Sequence, residues 1–67
     1  MDYKLEVSVS RELSEIKQRI EKDLGKDFAV LYDNSIVFEI MKKPLSERVA
    51  FFSNYHKELL EKQRKQE

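Results

Sequence analysis

Apolar and polar residues alternate at the start of the chain. Tyr3, Leu5, Val7 and Val9 fall on one side of an extended backbone, and Asp2, Lys4, Glu6 and Ser8 on the other. A period of two predicts a half-buried strand over residues 2–9. The period then changes. Ser10 offers an N-cap with Glu12 in the first turn. Leu13, Ile16, Ile20 and Leu24 recur at helical spacing over an arc of about 80°. Glu15 and Arg19 form an i,i+4 pair on the polar side. Gly25, the only glycine, suits a C′ position with positive φ, so the predicted helix covers 11–24.

Two short apolar runs follow, Phe28–Asp33 and Ile36–Met41, split by Asp33-Asn34 or a slightly longer turn. Asp and Asn tolerate positive φ, so the pair predicts a β-hairpin. With a loop of two or four residues, Ala29, Leu31, Ile36, Phe38 and Ile40 share one face. Phe28, Val30, Tyr32, Val37, Glu39 and Met41 share the other. A three-residue loop swaps the face of the second strand. Pro44 opens a last helix over about 44–64, supported by the i,i+4 pairs Glu58–Lys62 and Glu61–Lys65. Residues 65–67 are expected to fray, leaving one domain at 1–64.

The predicted fold class is α+β, with element order β-α-β-β-α. Its packing is a three-stranded antiparallel sheet with two helices on one face. That is a split βαβ arrangement, ferredoxin-like without its last strand. The edge of the first strand is left open as a dimerisation seam.

Two apolar surfaces exceed what this fold can bury. The last helix carries Leu45, Val49, Phe51, Phe52, Tyr55, Leu59 and Leu60 over about 180°, against roughly 100° needed to pack on a small sheet. The excess lies on the Phe51–Tyr55 flank, where Arg48 joins it; aromatics with Arg are the composition of interface anchors. On the hairpin, Phe28, Val30, Tyr32, Val37 and Met41 form an uncovered face, the kind of patch that marks an interaction site. Arg48, Phe51, Phe52, Tyr55, Leu59, Phe28, Val30, Tyr32, Val37 and Met41 are therefore the candidate protein-interface residues.

Size and composition narrow the function. The chain has 67 residues, and such a length buries only about 60% of its unfolded surface, leaving little for a catalytic pocket. With no cysteine there is no disulfide or Cys-zinc staple, so a domain this small often relies on oligomerisation or a partner. No signal peptide or membrane span is legible, and a cytoplasmic location is expected. Charged residues are 39% of the chain, rich in Lys and Glu, which fits a hyperthermophile surface and equally an ordinary helix-rich small protein. Lys plus Arg number 13 and Asp plus Glu 13, so there is no basic excess for nucleic acid.

Little chemistry is legible. His56 is alone, without HxxxH or HxxE spacing, and reads as a boundary histidine. No phosphate loop, nucleophile elbow or paired-carboxylate pocket is present. We expect no enzyme, no cofactor and no metal. Lys42, Lys43 and Arg48, with Tyr3, Phe28 and Tyr32 as stacking groups, are the residues a nucleic-acid-binding regulator would use.

The string Val49-Ala50-Phe51-Phe52-Ser53-Asn54-Tyr55 resembles the Arg-Ala-Ala-hydrophobic-Asn-Ser-Tyr stretch of the small dimerisation subunit of the KEOPS complex. The expected element order and the long last helix are similar too. Val49 replaces the Arg, and Ser53-Asn54 reverse the usual order. The resemblance implies a non-catalytic accessory subunit of a complex that makes threonylcarbamoyladenosine on transfer RNA. Phe51, Phe52 and Tyr55 would meet a protein, and the hairpin or strand edge would meet a sister subunit. The expected function is thus a small interaction and dimerisation subunit, working as a homo- or heterodimer. A nucleic-acid-binding regulator and a small viral-type inhibitor of a host enzyme are the alternatives.

Overall fold

A computed structural model describes residues 3–66. Helix α1 spans Tyr3–Leu24, and a 3₁₀ turn covers Gly25–Asp27. Short helices α2 (Phe28–Leu31) and α3 (Ile36–Lys42) follow, then α4 at Leu45–Gln66. No strand occurs among the described residues. The α+β expectation, its three-stranded sheet and its open strand edge are therefore corrected: the chain is a helical bundle. The β-α-β-β-α order that carried most of the KEOPS resemblance is absent with them.

The first error has a simple cause. Residues i and i+4 share a face in a strand and nearly share one in a helix. The alternation at Tyr3, Leu5, Val7 and Val9 resolves on α1 into two i,i+4 stripes, Leu5–Val9 and Tyr3–Val7. The first stripe leads into Leu13, Ile16, Ile20 and Leu24, so the helix continues through Ser10 instead of starting there. Its predicted end is correct. Gly25 has φ +56°, the left-handed C′ conformation that stops α1 at Leu24.

The expected hairpin is likewise helical. Phe28, Leu31/Tyr32, Ile36 and Ile40 recur every three to five residues, and all pack in or against the core. Asp33 breaks the segment. Its carboxylate accepts the Ser35 N–H at 2.9 Å and its carbonyl accepts the Ile36 N–H at 3.0 Å, which starts α3. Lys43 is extended, as the residue before Pro44 must be, and α4 begins one residue after that proline. Helix α4 continues through Gln66, past the expected fraying point, and Met1, Asp2 and Glu67 lie outside the described residues.

The two long helices run parallel. Asp23 of α1 meets His56 of α4, and Leu24, one residue on, meets Gln63, so both helices point the same way. The α2–α3 segment is the return leg between them. The molecule is a rod of 46 × 19 × 16 Å. A helix of 22 residues is about 33 Å long, so α1 and α4 are staggered and the start of α1 projects beyond the bundle.

Ile16, Ile20, Leu24, Ile40, Phe52 and Leu59 form the core, with Ile20 and Leu59 at 0% exposure. Leu59→Ala should cost about 2–5 kcal/mol, a large share of the stability of so small a domain. Chemical denaturation followed by circular dichroism will show that loss as a lowered midpoint; an unchanged midpoint would mean that the α1–α4 core is not what holds the fold.

Candidate functional site

The seam between α1 and α4 turns from apolar to polar along its length. On α4, Leu45, Val49, Phe52, His56, Leu59 and Gln63 follow heptad spacing; on α1, Leu13, Ile16, Ile20 and Asp23 do the same, and Asp27 of the 3₁₀ turn extends the line. The polar members meet each other. His56 Nε2 lies 2.8 Å from Asp23 Oδ2, and the Gln63 amide donates to Asp27 Oδ2 at 2.8 Å and to the Leu24 carbonyl at 3.3 Å. His56 thus stands at the boundary of the core, tied to one carboxylate. Among the described residues no group of three or more His, Cys, Asp or Glu side chains gathers to hold a metal.

Aromatic rings link the return leg to α4. Phe28 stacks on Tyr32 at 4.6 Å, Tyr32 meets Tyr55 edge-on at 6.0 Å, and Tyr55 stacks with Phe52 at 6.3 Å. The Tyr55 hydroxyl also accepts the Asp33 N–H at 2.9 Å, which fixes the break between α2 and α3. Burial is the main reason that the Tyr32 phenol titrates above its ordinary value; Tyr55 and Glu21 add to the effect. The Ser35 backbone N–H, then the Ser35 side chain, hold the Asp33 carboxyl below the usual range.

The candidate interface residues are dispersed by this arrangement. Phe52 and Leu59 lie inside the core. Phe51 and Tyr55 are half-buried against it, and the Lys43 ammonium sits 5.1 Å from the Phe51 ring. Arg48 closes the α3–α4 corner: its Nε donates to the Lys43 carbonyl at 3.0 Å and its Nη2 to the Met41 carbonyl at 3.3 Å. Phe28 and Tyr32 are half-buried in the aromatic ladder. Val30, Val37 and Met41 remain exposed, Val30 at 77% and Met41 at 61%. Sequence reasoning missed Tyr3 (74% exposed), Leu5, Val7 and Phe38 (72%) as surface apolar groups. The i,i+4 spacing of Tyr3 and Val7 was the available signal.

Of the basic cluster, Lys42 pairs with Glu39 at 3.5 Å, Lys43 covers Phe51, and Arg48 caps carbonyls. Phe28 and Tyr32 stack on each other rather than on a free platform. Two of the exposed apolar groups, Val37 and Met41, line a groove. An apolar groove of about 250 Å³ runs between α1 and α3, lined by Leu13, Ser14, Lys17, Val37, Ile40 and Met41 among others. The Tyr3–Val7 stripe projects beyond the bundle on the same helix. No helix among the described residues is long and apolar enough to cross a membrane. No family model, curated protein or solved structure matches this chain.

The Tyr32 shift predicts the alkaline behaviour. Its folded pKa is raised, so its contribution is present below the ordinary tyrosine value of 10.0 and is lost as pH rises through the folded value. Tyr32→Phe should flatten the fall in melting temperature above that point. Equal alkaline slopes for the two proteins would remove Tyr32 as the cause.

Proposed function

We propose that this chain is a non-catalytic helical interaction module that docks an apolar helix on the α1–α3 side, and that it acts in the cytoplasm. One observation carries the reading. Tyr3, Val7, Val37 and Met41 are exposed although the protein has few apolar residues to spare for its core. Val37 and Met41 line a preformed groove, and Tyr3 and Val7 lie further up α1, the helix that forms its other wall; exposed apolar groups with a groove are what helix-in-groove recognition needs. The dominant residues are then Tyr3, Val7, Val37 and Met41, not the aromatic flank of α4, which the monomer uses for its own packing.

A photo-crosslinking amino acid placed in turn at Tyr3, Val37 and Lys57 tests this in the native host. Lys57 is an exposed control on α4. Adducts of higher mass should form from positions 3 and 37 and not from 57. Adducts at no position, or equally at all three, would end the reading.

A further inference from the structure

Helix α1 carries a second heptad stripe that the monomer leaves uncovered. Tyr3, Val7, Ser10 and Ser14 follow spacings of four, three and four residues, and all four are exposed. The stripe is rotated by about 120° from the Ile16–Ile20 side that forms the core. Placing Tyr3 and Ser10 at d and Val7 and Ser14 at a puts Glu6 at g and Arg11 at e. Neither Glu6 nor Arg11 has an ion pair among the described residues.

Those charges select an occupant and its direction. In a parallel, in-register pair of helices, a g residue faces the e residue five positions further along the other chain. Glu6 of each copy then meets Arg11 of the other, twice by symmetry. An antiparallel pair would instead set Glu6 against Glu6 and the Lys4–Arg11 flank against itself. Small serines at two of the four seam positions let the backbones approach. Ser14 also lines the α1–α3 groove beside Val37 and Met41, so a helix laid on Tyr3 and Val7 runs on along the groove's rim.

We propose that the occupant of this face is a second copy of the chain, paired through parallel α1 helices with Tyr3, Val7, Ser10 and Ser14 at the seam and Glu6–Arg11 ion pairs across it. This deepens the interaction-module reading and rests on it. A seam this short, half of it serine, gives a reversible dimer with a Kd in the micromolar range, roughly 1–100 μM.

Sedimentation equilibrium of the purified chain from about 1 μM to about 1 mM should show monomer passing to dimer. Glu6→Arg or Arg11→Glu alone should weaken the dimer about threefold or more, and the double swap should restore it. Val7→Asp should leave the helical circular dichroism intact and abolish the dimer. Val7→Cys and Ser14→Cys should each form an intermolecular disulfide under mild oxidation, because only a parallel in-register pair brings both positions to their own copies. A monomer throughout that range, no rescue by the double swap, or cross-linking at only one of the two cysteines overturns the proposal. A monomeric purified chain whose photo-adducts at Tyr3 and Val37 contain other proteins rejects self-pairing and leaves the interaction module standing. A monomer with no adducts rejects both.

Discussion

The parallel seam between α1 and α4 is the constraint on which the rest of the structure depends. Ile20 and Leu59, the two side chains fully shut off from water, come one from each helix. Parallel neighbours cannot be joined by a short turn. The chain must come back along the stretch where the two staggered helices overlap, about 20 Å. Residues 25–44 make that return as a mostly helical segment broken at Asp33. The return leg does more than connect, because it contributes Ile40 to the core while spanning the gap.

What breaks the return leg also aligns the long helices. Asp33 ends α2 and starts α3 through its own carboxylate and carbonyl, and the Tyr55 hydroxyl of α4 holds its N–H. At the far corner Arg48 satisfies two carbonyls at the end of α3, where a positive charge also suits the helix terminus. Along the seam itself, apolar pairs alone would tolerate a slip. Asp23–His56 and Asp27–Gln63 would lose their partners if α4 moved by one turn, so they fix the register. Polar members in a heptad seam commonly have that role.

The legible parts of the fold were those with long-range periodicity and an unambiguous stop. Leu13 to Leu24 with Gly25, and the helix after Pro44, were both readable. The segments that misled are short. Four alternating residues at 3–9 satisfy a strand and also two helical stripes, and nothing local decides between them. Residues 28–41 are rich in Val, Ile and aromatics, which favour strands when read as composition. Their burial follows a helical spacing instead, because the surface they pack on is a pair of helices. The candidate site was misplaced for the same reason. Exposure was inferred from a sheet with one open face, so Phe28 and Tyr32 were put outside and Tyr3 and Val7 inside.

The projecting start of α1 is where local preference and observed structure disagree most. Tyr3, Val7, Ser8, Val9 and Ser10 are mediocre helix formers, and a helical segment of this length is marginal on its own. The main core cluster holds α1 through Ile16, Ile20 and Leu24, and before them only Val9 is buried. Tyr3, Val7 and Ser10 are weak helix formers and exposed in the monomer, and they carry the stripe. An exposed face at the projecting end of a helix gains most from a contact that covers it, because that contact supplies the apolar burial that the monomer leaves unmade. Local sequence preference, the stagger of the rod and the uncovered heptad all converge on the same end of the same helix.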